Sequence, residues 1–226
     1  MNSLPTYIDH TQLNASAPFG DYTIAVRDCI QYKFASLVVN PFFVQLTSKL
    51  LRNEPFCKTN VCSVISFPLG LEDILSKREE AIHALAHGAE ELDLVVNISA
   101  VKSQDFKRVA DEIRSVREES QGHILKVILE VGLLTDLEIK KVSEICITER
   151  CDFLKTSTGV NIKLPFEETL RYSKMLVDIS NGTRISVKAS GGISTLDQCK
   201  QLIDIGVKRI GTSKSIQIMN ELKGEI

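Results

Sequence analysis

The chain has 226 residues, 43% of them hydrophobic, with 27 basic against 29 acidic side chains and a formal charge of -2. That length suits one domain, 1-226, with a full core, and the charges are scattered rather than gathered into the basic stripe that a phosphate backbone attracts, which argues against nucleic acid as a partner. No apolar run approaches the roughly 18 to 20 residues needed to span a bilayer, and Asp9 and His10 interrupt the N-terminus before a signal core can form, so a cytoplasmic protein with no membrane partner is expected.

Taken in order, β-rich runs fall at 6-10, 35-40, 60-66, 91-97, 124-130, 152-158, 184-190 and 208-213, bounded by turn residues. The first carries Asp9, the second closes at Asn40, the fourth holds Asp93 and Asn97, the fifth closes at Glu130, the sixth holds Lys155 and the seventh Lys188. Helix-periodic stretches separate them, the clearest with Phe106, Val109, Ile113 and Val116 on one face. Pro41 and Pro165 suit first helical turns, and Gly88, Gly122 and Gly206 suit helix stops.

Strands such as Leu92 to Val96 are almost continuously apolar, the pattern of parallel strands covered on both faces. Eight strands alternating with eight helices predict an α/β fold, a (β/α)8 TIM barrel. A doubly wound open sheet is the rival, and it gathers the polar strand ends less well. In a barrel, the polar interruptions converge at the C-terminal end of one cavity. Side-chain alternation sends Asp93, Val95 and Asn97 inward and Leu92, Leu94 and Val96 outward.

Lys155 and Lys188 carry the chemistry. Each breaks an apolar run and is followed by small residues and glycine. A free lysine has roughly one neutral amine in a few thousand at neutral pH, and a pKa about 3 lower raises that to tens of per cent. Burial beside a second ammonium pushes in that direction and yields a nucleophile suited to Schiff-base formation. A buried structural ion network is the alternative reading of the same residues.

Small-residue turns follow the last three strands: Thr156-Ser157-Thr158-Gly159, Ser190-Gly191-Gly192 and Gly211-Thr212-Ser213. Backbone N–H groups there can approach an anion closely, so Gly159, Gly191, Gly192, Gly211, Thr212 and Ser213 are expected to hold a phosphate. The bland reading makes them tight turns into helices, with Ser194 or Ser213 as an N-cap. His83 and His87 lie i, i+4 on a helix without a metalloprotease carboxylate, and no G-x-G-x-x-G or P-loop pattern occurs, so neither a metal nor a cofactor is expected. The six cysteines, 29, 57, 62, 146, 151 and 199, form no C-x-x-C pair and read as reduced thiols.

At these residues the chain resembles the deoxyribose-phosphate aldolases. The matching pieces run along nearly its whole length, among them Ile8-Asp9-His10-Thr11, Val39-Asn40-Pro41, Phe67-Pro68-Leu69-Gly70, Glu91-Leu92-Asp93, Lys126-Val127-Ile128-Leu129-Glu130, Lys155-Thr156-Ser157-Thr158-Gly159, Val187-Lys188-Ala189-Ser190-Gly191-Gly192 and Arg209-Ile210-Gly211-Thr212-Ser213. The resemblance implies a metal-independent class I aldolase in which Lys155 forms the Schiff base and Asp93 and Lys188 relay protons; from their strand positions, Asp9, which could equally orient a lysine or cap the first turn, and Asn40 are read as supporting residues. The substrates of such an aldolase would be a small sugar phosphate, 2-deoxyribose 5-phosphate, and the aldehydes acetaldehyde and glyceraldehyde 3-phosphate. A homo-oligomer is compatible with the sequence.

The chain departs from the family pattern in three places. Val160-Asn161-Ile162-Lys163-Leu164-Pro165 replaces a glycine-rich stretch, Lys214 stands where a second serine is common, and Ser66 replaces a glycine. Lys163 and Lys214 can compensate as point charges. A related aldolase with a different acceptor aldehyde, or a noncatalytic sugar-phosphate-binding barrel, are the alternatives.

Overall fold

The computed structural model describes residues 4–224. Its eight strands are β1 (Ile8–Gln12), β2 (Ser36–Val39), β3 (Asn60–Ile65), β4 (Glu91–Val95), β5 (Ile124–Ile128), β6 (Phe153–Lys155), β7 (Ser186–Ser190) and β8 (Arg209–Thr212). Each pairs in parallel with the next, and β8 returns to β1 through Ile8↔Ile210 and Asp9↔Gly211, closing the barrel. Closure rules out the open sheet. The fold is the (β/α)8 barrel expected from the alternation of elements.

Helices α1 (Phe19–Tyr32), α2 (Val44–Arg52), α3 (Ile74–Ala86), α4 (Ile98–Lys102), α5 (Phe106–Glu119), α6 (Asp136–Thr148), α7 (Phe166–Ser180), α8 (Leu196–Asp204) and α9 (Ser215–Lys223) make the outer layer. The α5 face Val109, Ile113 and Val116 is fully buried, as its spacing predicts. Outward strand residues such as Leu92, Leu94, Leu125, Val127, Leu154 and Val187 pack against these helices in the main core. Each such side chain contributes about 1.5–3 kcal/mol on burial.

The extra helix is α4. β4 ends at Val95 rather than running to residue 97, and Asn97 turns to cap α4, its Oδ1 accepting from the Ala100 N–H at 3.0 Å. The asparagine thereby serves a helix N-terminus and not the cavity. A buried ion pair fixes this corner: Lys77 Nζ lies 2.8 Å from Glu112 and donates to the Val95 carbonyl at 3.1 Å, while Glu112 accepts from the Asn97 N–H. Because α3 and α5 thus grip the end of β4, the strand carrying Asp93 has little freedom to shift.

Other caps follow sequence logic with small corrections. Thr195 and Gln198 form a capping box on α8, so Thr195 rather than Ser194 is the cap. α9 starts after Lys214 without a side-chain cap, so Ser213 does not cap it. Pro165 occupies the N-cap position of α7, one residue earlier than a first-turn proline.

The barrel interior differs from the outer core. A small apolar cluster of Val38, Cys62 and Val64 fills the β2–β3 side, with Leu13 and Phe67 packed on it. The remaining interior is filled largely by charge.

Candidate active site

Alternation along the strands sends Glu91 and Asp93 of β4, Lys126 of β5, Lys155 of β6, Lys188 of β7, Arg209 of β8 and Asp9 of β1 into the barrel. Neighbouring register brings them together: Asp93 stands beside Lys126, Lys155 beside Lys188, and Lys188 beside Arg209. Asp93 is the hub. Its Oδ2 accepts from both Lys155 Nζ and Lys188 Nζ, each at 2.7 Å, and its Oδ1 accepts from Lys126 Nζ at 2.8 Å and from the Cys62 thiol at 3.2 Å.

Below this hub the charges continue. Lys126 Nζ reaches Glu91 at 2.6 Å, Lys188 Nζ reaches Asp9 Oδ2 at 2.5 Å, and Arg209 joins Asp9 to Glu91 at 2.5 and 2.8 Å. Such a network is tolerated away from water only because every charge has a partner.

The two expected lysines respond to this setting in opposite directions. Burial pushes the pKa of Lys155 down, the Asp93 carboxylate pulls against it, Lys188 adds to it, and the result lies below the ordinary lysine value. Burial acts the same way on Lys188, but Asp9 and Asp93 outweigh it and hold its ammonium above the ordinary value. One amine is driven toward the neutral nucleophile and the other is kept charged, the separation of roles that acid–base chemistry at one carbonyl needs. For Asp93, burial works against ionisation, yet Lys126, Lys155 and Lys188 hold the carboxyl well below the usual range. For Asp9, burial is likewise outweighed, by Lys188, Arg209 and Lys126.

Lys155 is the network member that reaches the open cavity at the C-terminal end of the strands. This cavity, of about 620 Å³, is walled by the ends of β1, β6, β7 and β8 and their loops. All six residues expected to hold phosphate line it, as do Lys163 and Lys214, and among the described residues no carboxylate does. Gly159 and Gly191 let two loops meet there: both have positive φ, +76° and +97°, and a Cβ on Gly159 would stand 3.4 Å from the Gly191 Cα. Gly211 has a second task. A Cβ at that position would stand 3.2 Å from Cε of Lys188 and 3.1 Å from Cβ of Ser190, so the absent side chain leaves space for the lysine. The Thr212 hydroxyl donates to the Ile193 carbonyl and accepts from the Lys214 N–H, which ties the loops after β7 and β8 together.

Other singled-out residues stand elsewhere. Asn40 lies after β2, ahead of a short 3-10 turn, and is not part of the cavity wall. Glu130 follows β5 with φ +55° and accepts from the Thr158 N–H, its hydroxyl and Asn161 Nδ2, bracing the loop after β6. Burial raises its pKa against those hydrogen bonds. His10 points away from the cavity, stacks on Phe34 and pairs through Nδ1 with the Ser215 hydroxyl of α9.

Four network residues went unassigned in the sequence: Lys126, Glu91, Arg209 and Cys62. Lys126 had the same signal as Lys155, a cation breaking the apolar run Ile124 to Ile128, and Glu91 shares a strand face with Asp93. Among the described residues no cluster of three or more His, Cys, Asp or Glu side chains is arranged to hold a metal ion. No helix among them is long and apolar enough to cross a membrane, and the six cysteines are free thiols.

Comparison with known proteins identifies the family. A sequence family described as "DeoC/LacD family aldolase" matches residues 4–212. A protein from an Exiguobacterium species named deoxyribose-phosphate aldolase is 40% identical over 96% of this chain and 95% of its own; one of the same name from Finegoldia magna is 39% identical over 96% and 98%. Among solved structures, that of deoxyribose phosphate aldolase from Aeropyrum pernix, described as tetrameric, superposes with a TM-score of 0.90 at 29% identity, covering 100% of this chain and 93% of that one.

Proposed function

Because the chain belongs to the DeoC/LacD family of aldolases, we propose that Lys155 is its Schiff-base lysine, with Asp93 and Lys188 moving the protons. The enzyme is a carbon–carbon lyase, a deoxyribose-phosphate aldolase by family, that cleaves 2-deoxyribose 5-phosphate to acetaldehyde and glyceraldehyde 3-phosphate. The observation that carries the assignment of Lys155 is the shared Asp93 oxygen, 2.7 Å from both lysines, with only Lys155 of the two lining the cavity.

In the cleavage direction, neutral Lys155 attacks the aldehyde carbon of the open-chain sugar. Loss of water gives an iminium, which acts as the electron sink. Proton removal from the 3-hydroxyl then breaks the C2–C3 bond, releasing glyceraldehyde 3-phosphate and leaving an enamine on Lys155. Protonation of the enamine carbon and hydrolysis release acetaldehyde and restore the amine. Lys188, held charged by Asp9 and Asp93, is suited to deliver protons, and Asp93 to accept them between the two amines.

The phosphate is assigned to the backbone at Gly159, Gly191, Gly192 and Gly211 and to Thr212 and Ser213, with Lys163 and Lys214 supplying charge. What supports this is a wall that, among the described residues, holds cations and no carboxylate. Asp9 is assigned the task of holding Lys188, which it meets at 2.5 Å. The substitution of Val160 to Pro165 for a glycine-rich stretch favours one second reading, an altered acceptor preference; relative kcat/KM on phosphorylated and unphosphorylated aldehydes separates the two. A cytoplasmic, homo-oligomeric enzyme is in keeping with free thiols and with the tetramer described for the Aeropyrum pernix relative.

Borohydride reduction in the presence of acetaldehyde tests the assignment. The expected result is an adduct on the peptide containing Lys155 and none in Lys155→Ala. An adduct on another lysine, or full activity in that variant, overturns it.

A further inference from the structure

The interior network contains four cations, Lys126, Lys155, Lys188 and Arg209, and three carboxylates, Asp9, Glu91 and Asp93. We propose that Lys126 and Arg209, which do not line the substrate cavity, are positioning residues that leave this network one proton in excess, so that Lys155 is the member that gives its proton up. The inference rests on Lys155 being the Schiff-base lysine.

Geometry decides which cation yields. Arg209 cannot lose its proton under ordinary conditions. Lys126 contacts two carboxylates, Glu91 at 2.6 Å and Asp93 at 2.8 Å, and Lys188 also contacts two, Asp9 at 2.5 Å and Asp93 at 2.7 Å. Lys155 contacts one, Asp93 at 2.7 Å, and it must share that oxygen with Lys188. It is also the one of these four that borders the cavity, from which a departing proton can be carried away. Lys126 takes Oδ1 of Asp93, leaving Oδ2 for the other two lysines. Arg209 engages Asp9 and Glu91, which would otherwise be free to stabilise Lys188 and Lys126 alone.

None of the other groups facing Lys155 forms an ion pair within this network among the described residues. The Cys62 thiol on β3 is fully buried and hydrogen-bonded to Asp93. Glu130, after β5, acts on Lys155 only through space: its oxygens accept from Thr158 and Asn161, it forms no ion pair among the described residues, and burial raises its pKa toward the neutral form. From the mouth, Lys163 and Lys214 add positive charge.

The arrangement makes opposite predictions for neighbours in one cluster, which a purely structural role does not. The measurement is the rate of acetaldehyde adduct formation on Lys155, trapped by borohydride, as a function of pH. Deleting a cation, in Lys126→Met or Arg209→Met, rebalances the network and is expected to move the acidic limb upward by about one pH unit or more. Deleting a carboxylate charge, in Glu91→Gln, increases the excess and moves the limb downward. Limbs that stay within about half a pH unit of the parent, or that all move in one direction, overturn the inference.

Should a single variant fail to fold by circular dichroism, the double variant Lys126→Met/Glu91→Gln removes one charge of each sign and stands in for it. A limb within about half a pH unit of the parent supports the charge balance, and a larger displacement overturns it. Adducts on Lys155 with unmoved limbs defeat this inference alone; no adduct on Lys155 in the parent defeats the Schiff-base reading and this inference with it.

Discussion

Lys155 and Lys188 converge on one oxygen, Asp93 Oδ2, each with its Nζ 2.7 Å away. A carboxylate oxygen shared by two amines lets a proton pass from one to the other with small motions of the side chains. It also couples their titrations, so that removing either lysine changes the other.

Lys188→Leu is therefore expected to act in two ways. Loss of the proposed proton donor is expected to lower kcat by about 10²–10⁴-fold. Loss of the neighbouring positive charge removes one cause of the low Lys155 pKa, so the acidic limb of kcat/KM moves to higher pH. A pH–rate profile of the variant checks both, and a reduced kcat with an unmoved limb would confine Lys188 to proton transfer.

Gly211→Ala tests whether the path of Lys188 depends on the missing side chain. The new Cβ would crowd Cε of Lys188 at 3.2 Å and Cβ of Ser190 at 3.1 Å. Overpacking of this kind costs about 1–3 kcal/mol, seen as a lower Tm. The displaced ammonium should lower kcat as well, even at temperatures where the variant is fully folded. Parent-like kcat would show that β7 and β8 relax apart to accommodate the methyl group.

Much of this was legible in the sequence, and the gaps have physical causes. Barrel strands announce themselves because both faces are buried, and cations inside them stand out because burial without a partner is costly. The partners were harder to read. Lys126 and Glu91 obey the same rules as Lys155 and Asp93, but which charges meet depends on register across the six strands that carry the charged network, which one sequence does not encode locally. Asn97 looked like a cavity residue by alternation; the strand ends two residues earlier because α4 needs a cap. His10 follows Asp9 directly, and alternation alone turns it to the outer face, against α9.

That outward position gives a pH dependence of stability. Burial lowers the His10 pKa from 6.5 to about 4, so the folded state favours neutral imidazole. Its contribution is fully present above the unfolded value and is lost as pH falls from 6.5 toward 4. The span corresponds to about 3 kcal/mol. Urea unfolding at pH 7 and pH 5 should show the parent losing stability while His10→Gln loses less. Equal slopes would place the acid sensitivity elsewhere, the depressed carboxylates Asp9 and Asp93 being the next candidates at lower pH.

The cavity mouth carries the last prediction. Lys163 and Lys214 come from different loops, border the same cavity and have no ion-pair partner among the described residues. Both are exposed, so each contact with a phosphate is screened and contributes about 1 kcal/mol. The double variant Lys163→Ala/Lys214→Ala should raise KM for 2-deoxyribose 5-phosphate by about tenfold or more, with kcat little changed because neither amine reaches the Asp93 hub. Unphosphorylated 2-deoxyribose should be used as well as by the parent. Added salt should narrow the gap between parent and variant by screening the attraction. A KM that rises equally for both sugars would mean that the lysines shape the loops rather than hold the phosphate.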